Sequence, residues 1–124
     1  MKEYKILDKK QIEDKIKRIS YEIYEENFDD ESIIICGIEK NGSIIAKKVI
    51  KELESICNIK IELISATLNK KKPLNTVEIK SKQNTIKDKS IILIDDVSNT
   101  GRTLIYVLNE LTKFEPKKIN TAIL

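Results

Sequence analysis

The sequence contains no histidine, and this absence excludes several common kinds of active site. Ser–His–Asp and Cys–His catalytic systems cannot be built, and neither can a metal centre with histidine ligands. Cys36 and Cys57 are the only cysteines and form no Cys-x-x-Cys pair, which excludes a cysteine-pair zinc site and a thioredoxin-type redox motif. We expect both to be buried free thiols in a reducing compartment. Any catalysis must therefore use carboxylates, lysines, hydroxyls, backbone amides or a divalent cation.

Long hydrophobic runs are also absent. No apolar stretch approaches the roughly 20 residues that a membrane-spanning helix needs, and Lys2 and Glu3 are charged where a signal peptide would become apolar. The 124 residues are 40% hydrophobic and 35% charged, a composition typical of a globular chain with room for one domain. We therefore expect a single cytoplasmic domain over residues 1–124, with no membrane partner.

The net charge is only +3, but it is unevenly distributed. Residues 70–89 contain seven lysines and two acidic residues, a local charge of +5. Because the segment 69–90 has few apolar residues and contains Pro73, we predict a long flexible loop there, interrupted at most by a short strand at 77–79. Such a loop is either a solvated segment or a cover over an anionic ligand.

The spacing of apolar residues predicts alternating helices and strands. Four isoleucines from Ile12 to Ile23 form one stripe of an amphipathic helix over residues 9–27. Continuous β-branched runs are typical of strands covered on both faces, and we predict strands at 32–38, 59–68, 91–94 and 119–124. Ser43 can cap a second helix, and a third begins at Thr100 or Gly101. This alternation indicates a three-layer α/β/α fold whose mainly parallel sheet has 32–38 and 91–94 adjacent at its centre.

In such sheets, ligands bind beyond the carboxyl ends of the strands, where we predict loops at 39–42 and 95–103. Asp95 and Asp96 open the second loop, and two neighbouring carboxylates repel each other unless a cation or hydroxyl donors lie nearby. Small hydroxyl-bearing residues follow at a helix start, where free N–H groups favour an anion. The pattern indicates a ligand with a diol or Mg²⁺ beside a phosphate, such as a sugar phosphate. The alternative is a helix cap preceded by two solvated aspartates.

Residues 91–103, IILIDDVSNTGRT, resemble the phosphoribosyl diphosphate (PRPP) signature of the type I phosphoribosyltransferases. The chain is most similar to the bifunctional pyrimidine-operon attenuator/uracil phosphoribosyltransferase group. In that group, Ile-Leu-Asp before a helix, Gly-Ile-x-x-x-Gly and Asp-Asp-Val-x-x-Thr-Gly-Arg-Thr occur in this order, as they do here at 6–8, 37–42 and 95–103. The resemblance covers the whole chain, although only the last motif is specific by itself.

The resemblance implies a Mg²⁺-dependent enzyme of nucleotide salvage that transfers the ribose 5-phosphate of PRPP to a nucleobase, uracil or a purine, and releases diphosphate. Asp95 and Asp96 would be the catalytic pair, holding the ribose hydroxyls directly or through Mg²⁺. The 5′-phosphate would bind Ser98, Asn99, Thr100, Gly101, Arg102 and Thr103, and the diphosphate would bind Glu39, Lys40, Asn41 and Gly42. Segment 69–90 falls where the family has its flexible catalytic loop. We also expect a homodimer or a larger oligomer.

Some features of the chain differ from the family pattern. Asn41 replaces the arginine that usually precedes the last glycine of the diphosphate loop, and Lys40 offers a charge one residue earlier without the same fork geometry. The family continues beyond the strand at 119–124 into a further strand and part of the hood that selects the base. We therefore expect the domain to be incomplete at its C-terminus.

Other functions compete with this interpretation. Gly37 and Gly42 have the glycine spacing of a nucleotide-binding P-loop, but Ser43 and Ile44 follow instead of Lys and Ser or Thr. A receiver-like signalling domain carries its acid pair after the first strand rather than the third. The main alternative is a pyrimidine-operon RNA-binding attenuator or a non-catalytic PRPP-binding regulator. RNA binding would use lysine–phosphate contacts and depend steeply on salt, but the sequence shows no aromatic RNA-binding pattern.

Overall fold

The apolar β-branched runs form a parallel sheet in the computed structural model, which describes residues 9–69, 76–80, 86–96 and 101–124. In chain order the elements are α1 (Lys9–Asn27), β1 (Ser32–Ile38), α2 (Glu39–Ile56), β2 (Lys60–Asn69), β3 (Thr76–Lys80), β4 (Ser90–Asp95), α3 (Gly101–Thr112) and β5 (Lys118–Ile123). The strands form one sheet in the order β3-β2-β1-β4-β5. All neighbouring strands are parallel except β2 and β3, which are antiparallel. The mainly parallel α/β fold is confirmed, with β1 and β4 adjacent as predicted.

The hydrophobic core lies in two layers because successive side chains of a strand point to opposite faces of the sheet. On one face, α1 and α2 pack over Ile33 and Ile35 of β1 and over Ile92 and Ile94 of β4. On the other face, α3 packs with Val107 and Leu111 over a second set of strand residues: Ile34, Cys36, Ile38, Ile91 and Leu93. The predicted three-layer arrangement is confirmed. Cys36 and Cys57 are both free thiols, and Cys36 is completely buried.

The helices follow the predicted spacing closely. α1 has the predicted bounds, and Ile16 and Ile23 of its apolar stripe are buried. Ile12 was expected in the core, but it is 36% exposed because it lies in the first turn of α1, at the rim of the packed region. None of the helices in the described residues is long and apolar enough to cross a membrane.

The start of α2 corrects one prediction. Residues 39–42 were expected to form a loop before a helix capped by Ser43, but α2 begins at Glu39. Its N-cap is Ile38, whose backbone is extended and whose side chain makes no capping hydrogen bond. Glu39 has a positive φ of 58°, so the chain turns from strand to helix within one residue. The two predicted glycine positions therefore flank a tight strand–helix junction.

The segment 69–90 also differs from the prediction of one flexible loop. Thr76–Lys80 is a strand, β3, that pairs antiparallel with the end of β2, whereas only a short strand at 77–79 was expected. Val77 and Ile79 pack against the core beneath α3, and Ile86 is only 3% exposed within it. Although the segment has few apolar residues, Val77 and Ile79 stand at alternate positions, as in a strand with one buried face. This spacing explains why the segment joins the sheet. Residues 70–75 and 81–85 of the predicted loop lie outside the described residues.

Candidate functional site

The two stretches that the sequence identified lie at the same edge of the sheet. β1 and β4 are parallel neighbours, with Gly37 paired to Ile94, so the chain leaves both strands on the same side. Residues 39–42 follow directly from β1, and Asp96 follows directly from β4. The predicted diphosphate segment and the predicted acid pair are therefore neighbours across the carboxyl end of the sheet, where ligands of open α/β sheets bind.

The acid pair differs in accessibility. Asp95, the last residue of β4, is only 4% exposed, and its Oδ1 accepts a hydrogen bond from the backbone N–H of Asp96 at 2.8 Å. The backbone carbonyl of Asp95 also accepts a hydrogen bond from the N–H of Leu124 at 3.0 Å. Asp96 lies beyond the strand and is half-buried. Asp95 is thus fixed within the end of the sheet, and Asp96 is the carboxylate that a ligand reaches more easily.

Gly37 and Gly42 bring α2 against the ends of the central strands. A Cβ atom on Gly42 would lie 2.6 Å from the carbonyl oxygen of Ile94, and one on Gly37 would lie 2.5 Å from Cα of Ser43. Both distances are shorter than atoms tolerate, so only glycine fits at either position without movement of the backbone. Ile94 directly precedes Asp95 in the chain, so this close approach places the first turn of α2 next to the acid pair.

The first turn of α2 has the features of an anion site. The first backbone N–H groups of any helix lack partners within the helix, and here Ile38 supplies no side-chain cap. These groups, with the positive end of the helix dipole, favour a negatively charged ligand. Lys40 and Asn41 are exposed in this turn. The carboxylate of Glu39 is turned aside, because its Oε1 accepts a hydrogen bond from the N–H of Leu68 at 3.0 Å.

A second helix start belongs to the same edge. α3 begins at Gly101, as predicted, and follows β4 by a short connection. Gly101 and Arg102 are exposed and Thr103 is half-buried, and a Cβ atom on Gly101 would meet no heavy atom within 4 Å. Ser98, Asn99 and Thr100, which were predicted to bind the 5′-phosphate, lie outside the described residues. The arrangement thus combines two helix N-termini with a pair of carboxylates.

The chain matches a known protein family. The sequence model of the family described as "Phosphoribosyl transferase domain" matches residues 4–124. The chain belongs to the phosphoribosyltransferase family. The bifunctional protein PyrR of Streptococcus agalactiae serotype Ia is 33% identical over 129 residues, which cover 100% of this chain and 73% of that protein. PyrR of Streptococcus pneumoniae strain CGSP14 is 29% identical over 131 residues, with the same coverage.

Solved structures of phosphoribosyltransferases share the fold of the chain. A hypoxanthine-guanine-xanthine phosphoribosyltransferase superimposes with a TM-score of 0.78 at 20% identity, over 98% of this chain and 68% of its own. A hypoxanthine-guanine phosphoribosyltransferase from Bacillus anthracis gives a TM-score of 0.73 at 21% identity, over 98% of this chain and 70% of its own. These likenesses confirm the predicted fold, and the predicted relation to the type I phosphoribosyltransferases is confirmed by the sequence matches.

The residues of this phosphoribosyltransferase fit a magnesium ion that is bound together with a phosphorylated substrate. Mg²⁺ is typically held by one or two carboxylates plus substrate phosphates, rather than by a complete cage of protein ligands. Asp95 and Asp96 offer two carboxylates at the sheet edge, and the described residues contain no group of three or more acidic, cysteine or histidine side chains that could hold a metal alone. Two carboxylates are the number of protein ligands that suits a magnesium ion bound with substrate phosphates.

One contact of the site was missed by sequence reasoning. The backbone N–H of Leu68 donates a hydrogen bond to Glu39, which is 29 residues away in sequence. Every residue except proline has a backbone N–H, so the residue type at position 68 does not reveal this contact.

A broad groove of about 1290 Å³ at the opposite edge of the sheet was not predicted either. It is lined by Phe28, Cys57 and Lys60 among others. We place the site of a phosphoribosyltransferase at the carboxyl edge instead, because the strand ends and helix N-termini converge there.

Proposed function

We propose that the chain catalyses Mg²⁺-dependent transfer of the ribose 5-phosphate group of PRPP to a nucleobase, uracil or a purine, with release of diphosphate. The observation that carries this proposal is the position of Asp95 and Asp96 beside the first turn of α2, where Gly42 approaches Ile94. Membership of the phosphoribosyltransferase family supports the reaction class. The choice of base is part of the proposal and rests on the resemblance to uracil and purine enzymes.

Each part of PRPP has a matching part of the site. Asp95 and Asp96 would hold the ribose hydroxyls, directly or through Mg²⁺, because carboxylates accept hydrogen bonds from a diol and also bind hard cations. The N-terminus of α3, together with Ser98, Asn99 and Thr100, would hold the 5′-phosphate. Residues 39–42 would hold the diphosphate at the N-terminus of α2.

The reaction requires no histidine. A ring nitrogen of the base forms a bond to C1′ of the ribose, the C1′–oxygen bond breaks with its electron pair going to diphosphate, and the nitrogen loses its proton. Positive charge develops on the ribose and negative charge on the leaving group in the transition state. When bound with PRPP, Mg²⁺ supplies charge that stabilises the departing diphosphate. The N–H groups of α2 and Lys40 would add to this stabilisation.

The alternative to catalysis is regulation. The seven lysines between residues 70 and 89, against two acidic residues, are the observation that favours a pyrimidine-operon RNA-binding attenuator. A PRPP-binding regulator without turnover would use the same carboxylates and helix N-termini. A homodimer or larger oligomer and a cytoplasmic location stay predictions, which size-exclusion chromatography with light scattering and cell fractionation would test.

A turnover assay separates these functions. The chain is incubated with PRPP and Mg²⁺ and with uracil, hypoxanthine or guanine in turn, and nucleotide and diphosphate are measured together. We expect equal amounts of both products with one of the bases and none without a base. PRPP binding without turnover would instead support a regulator. Binding of pyrimidine-operon RNA that weakens steeply as salt rises would support the attenuator.

A further inference from the structure

Glu39 has an unusual backbone conformation at the candidate site. Its φ of 58° lies in the left-handed region, which is unfavourable for residues that carry a side chain. Of the described non-glycine residues, Asp88 and Glu115 also have positive φ, but they lie in two turns that bind each other through the N–H of Asp88 and the carbonyl of Glu115. Glu39 instead lies at the junction between β1 and α2, where residues 39–42 begin.

The side chain of Glu39 makes a contact that opposes this cost. Its Oε1 accepts a hydrogen bond from the N–H of Leu68 at 3.0 Å, and the side chain is half-buried. Leu68 lies at the end of β2, where it pairs with Val77 of β3. The carboxylate therefore ties the start of α2 to the last residues of β2, on the side of β1 away from β4.

The direction of the carboxylate matters for an anionic ligand. Negative charge at the first turn of α2 would repel a diphosphate, and a free carboxylate could itself bind the N–H groups of that turn. Its hydrogen bond to Leu68 holds the acidic group away and fixes the backbone of the turn. A neutral acceptor of the same shape would fix the turn equally well, whereas a residue without an acceptor would not.

We infer that Glu39 is a positioning residue for the diphosphate half of PRPP, acting through the Leu68 hydrogen bond on the N–H groups of residues 40–42. This inference rests on the proposed function and deepens it. It predicts different effects on the two halves of the substrate, because the Glu39 carboxylate bonds to β2, whereas Asp95 and Asp96 follow β4. Loss of the hydrogen bond should weaken binding of diphosphate and PRPP, and it should leave binding of ribose 5-phosphate at its parent value.

The experiment measures dissociation constants of PRPP, inorganic diphosphate and ribose 5-phosphate, each with Mg²⁺, by calorimetry. For Glu39→Ala we expect about fivefold to tenfold weaker binding of PRPP and diphosphate, the effect of one lost hydrogen bond. Glu39→Gln should regain most of that loss. Glu39→Gly removes the acceptor but adopts a φ of 58° without strain, so its weaker binding cannot be attributed to backbone strain at residue 39. Glu54→Ala, at an exposed position of α2, is the matched control.

Amide exchange provides a readout that does not need ligand. The N–H of Leu68 should exchange faster in Glu39→Ala and Glu39→Gly than in the parent and in Glu39→Gln. The inference is overturned if Glu39→Ala binds diphosphate as the parent does, or loses diphosphate and ribose 5-phosphate equally. A parent chain that binds neither PRPP nor diphosphate overturns the proposed function as well, so the two failures are distinct.

Discussion

At the edge of the sheet where β1, β4 and β5 begin, Asp30 is held between oppositely charged and polar partners, whereas at the other edge Asp95 and Asp96 follow each other along the chain. Asp30 contacts Nζ of Lys117 at 2.9 Å and accepts a hydrogen bond from Oγ of Ser90 at 3.2 Å. Nearby, Nζ of Lys118 donates to the carbonyl of Glu26 near the end of α1, at 2.9 Å. At this amino edge the carboxylate of Asp30 is paired with a lysine of the same chain.

The carboxyl edge is built differently. Two carboxylates follow each other along the chain there, and two helices begin there. Oδ1 of Asp95 accepts a hydrogen bond from the N–H of Asp96 at 2.8 Å, and carboxylates at this edge of an open α/β sheet are candidates for ligand binding. We propose that the amino edge of the sheet contributes to stability and that its carboxyl edge binds the ligand.

Gly42→Ala should produce the largest effect and show that the carboxyl edge is also tightly packed. The new Cβ would lie 2.6 Å from the carbonyl oxygen of Ile94, and a backbone contact cannot relax as a flexible side chain does. We expect the free energy of unfolding in urea to fall by about 3 kcal/mol, the upper end of typical overpacking costs.

Gly101→Ala is the control for this prediction. A Cβ there meets no atom within 4 Å, and alanine favours the helix, so stability should stay equal or rise by about 0.5–1 kcal/mol. Equal destabilisation by the two variants would show that loss of glycine, rather than the contact with Ile94, determines the effect.

Asp96→Asn should separate binding from stability at the carboxyl edge. Loss of a charge-assisted hydrogen bond costs about 1.5–3 kcal/mol, so PRPP with Mg²⁺ should bind about tenfold to a hundredfold more weakly. Calorimetry checks the affinity and circular dichroism checks the fold. Asp29→Asn makes the same change at an exposed position of the amino edge, where we expect parent affinity. Parent-like binding by Asp96→Asn would show that the acid pair only precedes a helix.

Asp30→Asn should lower stability and leave PRPP affinity unchanged, because it removes the carboxylate that pairs with Lys117 at the amino edge. The hydrogen bond from Lys117 lowers the pKa of Asp30 below its ordinary value, against the opposing effect of burial. A carboxylate with a lowered pKa in the folded state stabilises the fold above its unfolded pKa of about 3.9, and the contribution disappears as pH falls through the folded pKa. At pH 7 we expect a loss of about 1 kcal/mol.

Unfolding free energies measured over a range of pH test the role of Asp30 most directly. The difference in unfolding free energy between the parent and Asp30→Asn should be largest at neutral pH and should shrink below about pH 4. Glu110→Gln is the control, since Glu110 pairs with Lys113 on an exposed helix surface at 3.0 Å and such pairs contribute less than about 0.5 kcal/mol. A difference that stays constant with pH would show that the Lys117 contact is not electrostatic.

Asn41→Arg should have the smallest effect and the opposite sign. Asn41 is exposed in the first turn of α2, and a guanidinium there can form a fork of hydrogen bonds with a diphosphate. We expect PRPP affinity to rise about threefold, or roughly 0.7 kcal/mol. Asn58→Arg adds the same charge beyond the other end of α2 and should not change affinity. A similar gain from both variants would indicate general attraction rather than a diphosphate contact.

The sheet and its helices could be predicted because their signals are local. The isoleucine runs of β1 and β4 show burial on both faces, and the apolar spacing of α1 gives its bounds. The acid pair was also found from local sequence, since Asp95 and Asp96 follow a strand directly. These features depend on residues within a few positions of each other.

The start of α2 could not be predicted because distant contacts determine it. A glycine at each end of residues 37–42 is typical of a loop, but Gly42 packs on Ile94 and Glu39 binds Leu68, both far away in sequence. The burial of Ile86 likewise depends on the position of α3 over the sheet. Tertiary packing therefore overrides the local pattern at the turn where we propose that diphosphate binds.

The two cysteines differ in burial, so the rates at which their thiols are alkylated measure opening of the sheet. Burial raises the pKa of Cys36 to about 12, so its thiol is inert while β1 stays covered. Cys57 is half-buried just after α2, where its Sγ donates to the carbonyl of Leu53 at 3.3 Å, and an alkylating reagent should label it first. The rate at which a second label appears, measured by mass spectrometry, then reports how often Cys36 becomes exposed. A ligand that binds the folded chain should delay the second label and leave the first unchanged.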